Sequence, residues 1–177
     1  TDRQELAQMM VGRDVRLTPD LPESKLGAKR LTLSDLTVIG DNETVAVKKV
    51  AVDIQAGEIL GIAGVSGNGQ RELAEAIAGL REIESGSSIE LDGSDITLSS
   101  THERREKGLG FIPEERIPDG AIPDFTVSEN LVLVNHGDEN FTKRGFFSFD
   151  SIRDHNVELV SDFDVKTPSI ETPTSSL

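Results

Sequence analysis

Between residues 64 and 71 the chain reads Gly64-Val65-Ser66-Gly67-Asn68-Gly69-Gln70-Arg71. Glycines at this spacing let the backbone double back, so that successive N–H groups aim at one point and suit the oxygens of a phosphate. The other use of such a loop is a tight strand-to-helix turn with glycines for packing alone. The order of apolar run, glycine loop and helix favours the phosphate cradle. A phosphate loop that moves phosphoryl groups continues with a lysine, which reaches the terminal phosphates, and a serine or threonine whose hydroxyl holds magnesium. Here those two positions are Gln70 and Arg71. Glutamine donates a hydrogen bond without charge, and loss of one charge-assisted contact forfeits about 1.5–3 kcal/mol, or about ten- to a hundredfold in affinity. Binding survives such a loss better than phosphoryl transfer does. Arg71 cannot ligand a cation. Its guanidinium either contacts phosphate oxygens in place of the lysine or lies solvated on the helix surface.

Such a loop needs a strand before it and a helix after it. Ile59-Leu60-Gly61-Ile62-Ala63 is apolar on both faces, the pattern of a strand buried under helices. From Gln70 to Leu80 a helix is predicted, with Leu73, Ala74, Ile77 and Ala78 on one face, Arg71, Glu72 and Glu75 toward the other, and Gly79 at its end. Upstream, alternation in Leu31/Leu33, Val45/Val47 and Val50/Val52/Ile54, with turns at Gly40-Asp41-Asn42 and Ala56-Gly57, predicts β-strands, antiparallel at first.

Downstream, a strand and turn around Ile89-Glu90-Leu91-Asp92-Gly93 lead to Ser100-Thr101-His102-Glu103, a capping box whose helix closes at Gly108. Leu109 to Ile112 reads as the next strand. Thr126-Val127-Ser128-Glu129 repeats the capping-box pattern, and a last helix from Asp150 to Phe163 carries Ile152, Leu159, Val160 and Phe163. At the other end, Leu6, Met9 and Met10 have helical spacing up to Gly12. Two prolines and two acids between Leu17 and Glu23 mark a linker, with a boundary near Ser24.

Composition narrows the function classes. With 177 residues, 36% of them hydrophobic, the chain is long enough for one domain with a real core. It has no run of about 18 apolar residues and no basic-then-apolar start, so a cytoplasmic, non-spanning segment is expected. The absence of cysteine excludes disulfides and thiolate metal sites. A net charge of -14 repels nucleic acid phosphates, and its spread along the chain is the pattern of a surface kept soluble in concentrated salt rather than of an acidic tail. His102, His136 and His155 lack metal-ligand neighbours at helical spacing and read as surface residues. Phe141, Phe146, Phe147, Phe149 and Phe163 read as a local core, with a membrane-protein partner as the alternative.

Gly57-Glu58-Ile59-Leu60-Gly61-Ile62-Ala63-Gly64, the loop after it, Glu72-Leu73 and Ala78-Gly79-Leu80 together resemble the ATP-binding subunit of bacterial and archaeal ABC importers for simple sugars or nucleosides. Met10-Val11-Gly12-Arg13 resembles the link after a first cassette. Phe111-Ile112-Pro113-Glu114-Glu115-Arg116 resembles the region after the second half-core strand, and Thr126-Val127-Ser128-Glu129-Asn130-Leu131 the helix that follows. The resemblance covers essentially the whole chain and is closest to the second of two cassettes, in which the loop lysine is often replaced.

This resemblance implies an α/β P-loop NTPase fold, an ABC cassette core with an antiparallel β-region and the start of a helical subdomain, incomplete. Residues 1–24 would be a helix and linker from a preceding cassette, 25–135 the N-terminal part of a nucleotide-binding domain with its P-loop at 64–71, and 136–177 the start of the helical subdomain. It implies ATP as the ligand, with Mg2+ weak or absent at this site, held by Gly64, Ser66, Gly67, Asn68, Gly69, Gln70, Arg71 and Glu114. The implied partners are another ATP-binding cassette and transmembrane permease subunits, at the inner face of the cell membrane and without insertion into it. The chain departs from the pattern twice. Glu114 stands where a glutamine senses magnesium and attacking water, and no Phe, Tyr or Trp precedes Phe111 to stack on adenine. The carboxylate of Glu114 either accepts from a metal-bound water or is a surface acid in a loop. The resemblance also leads one to expect the glycine-rich signature motif and the acidic catalytic residues beyond Leu177, so no catalytic residue is assigned. Two rival readings are a structural half that completes a cassette dimer and a small-molecule kinase, which would need the same missing lysine and hydroxyl.

Overall fold

Alternating apolar and polar side chains over residues 29–55 build a long hairpin. The computed structural model describes residues 3–11, 25–143 and 145–177. In it β1 (Lys29–Ile39) pairs antiparallel with β2 (Val45–Gln55), placing Leu33 opposite Val52 and Val38 opposite Val47. β3 (Ser88–Leu91) joins the free side of β1, also antiparallel, and β4 (Ser94–Asp95) completes the order β2-β1-β3-β4. Asp92 and Gly93 both have positive φ, 50° and 73°, which is the mirror-image two-residue turn that the twist of a hairpin prefers.

The chain divides into two units, residues 1–110 and 111–177. In the first, the helix α2 (Gln70–Ala78) lays Leu73 and Ala76 on the sheet, where they join Leu33, Leu36, Val38, Val47, Ile89 and Ile96 in one core. Full burial of each large aliphatic side chain there contributes about 1.5–3 kcal/mol. The buried stripe of α2 is Leu73, Ala76 and Ala78, while Ala74 and Ile77 are half-buried, so the predicted face is rotated toward Ala76. Gly79 ends the helix at φ 80°, its N–H donating to the Ala76 carbonyl at 3.1 Å. α3 (Thr101–Glu106) begins with the predicted capping box: Ser100 Oγ accepts from the Glu103 N–H, and the Glu103 carboxylate accepts from the Ser100 N–H at 2.7 Å. The helix α1 (Arg3–Val11) forms as predicted and exposes Leu6, Met9 and Met10. The helix stop at Gly12, the linker and the boundary near Ser24 lie outside the described residues.

In the second unit Thr126 and Glu129 form another capping box and open α4 (Val127–Leu133). The short hairpin of β5 (Thr142–Lys143) and β6 (Phe146–Phe147) precedes α5 (Phe149–Asp162). Asn156 of α5 is fully buried and donates to the Ser128 carbonyl at 3.0 Å and to Ser128 Oγ at 2.8 Å, tying the two helices together. Among the described residues no helix is long and apolar enough to cross a membrane.

Four expectations are corrected. Ile59-Leu60-Gly61-Ile62-Ala63 is not a buried strand: Ile59 is 92% exposed, and no strand pairs with this run among the described residues. Leu109 to Ile112 is likewise outside any strand, with Ile112 94% exposed. Apolarity on both faces states what such a run needs on either side, and the antiparallel sheet, closed by hairpins local in sequence, supplies no neighbour. The phenylalanines do not form a local core either. Only Phe141 is buried, and Phe146, Phe147, Phe149 and Phe163 are exposed. The strands of the β5–β6 hairpin are too short to be covered, and Phe149 and Phe163 stand at the two ends of α5, beyond its buried Ile152 and Asn156. Finally, His102 and His136 are exposed, but His155 is half-buried with its ring centroid 5.1 Å from that of Phe141.

Candidate phosphate site

The loop at 64–71 delivers the chain into the first turn of α2. Gly67 and Gly69 both lie in the left-handed region, at φ 85° and 93°, which glycine enters without the steric cost of a Cβ. The two differ in what surrounds them. A Cβ on Gly67 would meet open space, whereas one on Gly69 would fall 2.3 Å from the Ala46 carbonyl oxygen of β2. Gly69 therefore lets the start of α2 approach the sheet, and Gly67 keeps the outer side of the loop clear. Inside the loop two amides converge on one acceptor: Asn68 Nδ2 donates to the Val65 carbonyl at 2.9 Å and Gln70 Nε2 donates to it at 3.3 Å. Gly64 makes room for this, since a Cβ there would fall 2.0 Å from Gln70 Nε2. Ser66 is exposed at the turn. The opening N–H groups of an α-helix have no partner within the helix and carry its positive dipole end, so the start of α2 is suited to an anion.

Arg71 lies along the helix. Its Nε donates to Glu75 Oε1 at 2.7 Å, and Glu75 Oε2 accepts from Arg81 Nε and Nη2 at 2.8 and 2.7 Å. Arg81 Nη1 continues to Asp41 Oδ1 at 2.8 Å, in the turn between β1 and β2. A string of alternating charges thus runs from the phosphate loop to the tip of the hairpin. Burial pushes the Glu75 carboxyl up, but hydrogen bonds from Arg71 and Arg81 outweigh it and hold the group below the usual glutamate range. The Arg81 hydrogen bond likewise lowers Asp41, and Asp41 first, then Glu75, raises Arg81. Because the folded value of Glu75 is depressed, its contribution to stability is present above the unfolded value and is lost as pH falls through the folded one. Acid titration of the unfolding midpoint is expected to show wild type losing more stability than Glu75→Gln between about pH 5 and pH 3. Parallel curves for the two proteins would remove Glu75 from the acid transition.

A residue that the sequence reading missed fixes the other end of α2. Arg104 is 3% exposed, and its guanidinium donates to four carbonyls: Ala76 and Ile77 at 2.8 Å, Ser99 and Thr97 at 3.0 Å. Two of these are at the C-terminal end of α2, where the helix dipole favours a cation. Gly79 admits it, since a Cβ there would sit 3.0 Å from Arg104 Nε. No local pattern signals this, because Gly79 is already accounted for as a helix stop.

Glu114 belongs to the second unit, where it is exposed in a segment without regular structure. The structure thus brings Gly64, Ser66, Gly67, Asn68, Gly69, Gln70 and Arg71 together in one loop and places Glu114 in the other unit. Among the described residues no cluster of three or more His, Asp or Glu side chains could hold a metal ion. The helix end of the loop is a poor fit to magnesium, which takes oxygen ligands: Gln70 Nε2 is turned to the Val65 carbonyl and only its uncharged amide oxygen is left to offer, and Arg71 brings a positive charge where a hydroxyl would be needed.

Residues 47–176 match the family model for the ABC transporter, and the chain belongs to that family. It is 37% identical over 174 residues to the nucleoside import ATP-binding protein NupA of Lactococcus lactis, a match covering 98% of this chain and 34% of the relative. It is also 37% identical over 164 residues to the glucose import ATP-binding protein TsgD13 of Haloferax volcanii, covering 93% of this chain and 30% of that one. The chain therefore spans about a third of the length of these curated relatives. Among solved structures, the ATP-binding cassette MJ0796, captured with ADP and Pi, superposes with a TM-score of 0.65 at 22% identity, over 83% of this chain and 62% of that one. The fold is that of the P-loop NTPase cassette, with its antiparallel β-region.

Proposed function

We propose that the chain is the nucleotide-binding part of an importer for a sugar or nucleoside, a second cassette whose P-loop holds the phosphates of ATP and turns them over slowly or not at all. One observation carries this reading: a glycine loop with left-handed Gly67 and Gly69 enters α2, while Gln70 and Arg71 replace the side chains that phosphoryl transfer needs. The loop backbone from Gly64 to Gly69, including Ser66 and Asn68, forms the cradle, Gln70 and Arg71 stand at its helix end, and Glu114 couples nucleotide state to the membrane subunit. ATP closes this cassette on a partner cassette that carries out hydrolysis, and the closure drives permease subunits from the inner face of the membrane. The names of the relatives, which include nucleoside and glucose import, support the solute class.

A second reading is a structural half that completes the dimer and docks on the permease without nucleotide. It is favoured by the Gln70 amide, which lies against Gly64 inside the loop. Calorimetric titration with ATP, paired with a phosphate-release assay, separates the two. The expected result is binding in the micromolar to millimolar range, weakened about tenfold or more in Gly67→Val, with no phosphate release above background. Absence of binding at millimolar ATP favours the structural half, and phosphate release by the isolated chain at about 1 per second or faster, an ordinary enzyme rate, overturns both.

A further inference from the structure

Resting on the reading of the loop as a nucleotide site, we infer that it takes the nucleotide's phosphates without a divalent cation, with Arg71 leaving Glu75 to supply the positive charge. The disagreement between the loop and magnesium is the starting point. A cation bound to phosphate oxygens at the start of α2 would stand beside a guanidinium, and the two compete to neutralise the same oxygens. Arginine answers the charge directly and matches two phosphate oxygens with its planar fork.

The pair with Glu75 is a small obstacle to the transfer. The Arg71 side chain is 49% exposed and its bond to Glu75 is a helix-surface pair, the weakest kind of ion pair. Glu75 is only 14% exposed and would be left as a buried charge if Arg71 were its sole partner. It is not, because Arg81 holds Glu75 Oε2 through two nitrogens and is itself fixed by Asp41. When Arg71 moves to an anion, Glu75 keeps a neutralising partner. Arg71 is also the second residue of α2, in the turn whose N–H groups open toward the loop, so the side chain and the backbone donors serve one ligand.

The test is ATP affinity of the full chain, by calorimetry, in magnesium buffer and in EDTA. Wild type is expected to bind equally in the two within about twofold, and Arg71→Ser to lose about tenfold or more in EDTA, with Arg71→Lys intermediate. Glu75→Gln weakens the ion pair with the guanidinium and is expected to tighten binding about twofold in both buffers. Circular dichroism checks that each variant folds, which the exposed position of Arg71 favours. Wild-type affinity that rises tenfold or more on adding magnesium, or Arg71→Ser binding like wild type in EDTA, overturns the inference and leaves the nucleotide reading standing. No binding in either buffer overturns that reading, and the inference with it.

Discussion

Gly69→Ala is expected to lower the unfolding free energy by about 2–5 kcal/mol, the sum of a left-handed backbone conformation forced on a residue with a Cβ and an overpacked contact. The added carbon would fall 2.3 Å from a backbone oxygen and 3.4 Å from Val47 Cγ2, and a backbone oxygen in a paired strand cannot swing aside as a side chain can. Gly67→Ala has the same sign of φ but open space around it, so it is expected to cost only about 1–2 kcal/mol. Urea titration of the two variants beside wild type measures the difference. Equal midpoints for Gly69→Ala and Gly67→Ala would falsify the claim that Gly69 is needed for the seating of α2. The comparison also matters for function, because a binding defect caused by changing Gly69 reports on the fold as well as on the cradle, whereas one caused by changing Gly67 reports on the cradle.

Arg104→Met should be at least as damaging, with a loss of about 3–5 kcal/mol. The thioether is comparable in bulk to the arginine stem, yet it leaves the carbonyls of Ala76, Ile77, Thr97 and Ser99 without the donor they share. Burial pushes the Arg104 guanidinium below its usual value, but arginine starts so high that it stays charged. Arg104→Lys supplies charge without the fork and is expected to recover only part of the loss. Chemical denaturation ranks the three proteins. A methionine variant as stable as wild type would mean that water satisfies those carbonyls equally well.

Where sequence and structure agree, the governing interactions are local. Ser100 with Glu103 and Thr126 with Glu129 are three residues apart, and both capping boxes form as their spacing predicts. The β1–β2 hairpin and the Asp92-Gly93 turn depend on alternation and on residues that accept positive φ, both visible in the chain. The glycines of the phosphate loop are equally legible as a group. Their separate duties are not, because what distinguishes Gly69 from Gly67 is the carbonyl of Ala46 on another strand. Arg104 was invisible for the same reason, since its partners lie up to 28 residues away. Arg71 pairs with Glu75 along the helix, an i,i+4 pair that the sequence already contains. The phenylalanines went astray because composition records how apolar a segment is and not whether neighbouring elements are large enough to cover it.

The uncovered apolar run before the phosphate loop bears on how this chain behaves in a crowd. A segment that joins no strand, with Ile59, Leu60 and Ile62 in solvent, presents sticky side chains beside backbone donors and acceptors that lie outside the sheet, and another molecule can recruit it as a strand edge. Native sheets blunt such edges with lysines or prolines, and none stands between Ile59 and Ala63. What opposes self-association here is long-range repulsion between molecules that each carry a net charge of -14. Colloidal protection of this kind weakens as ions shorten the Debye length, the opposite trend to the salt tolerance expected from the spread of acids along the chain, so light scattering across a salt series tells which of the two effects keeps this segment from associating.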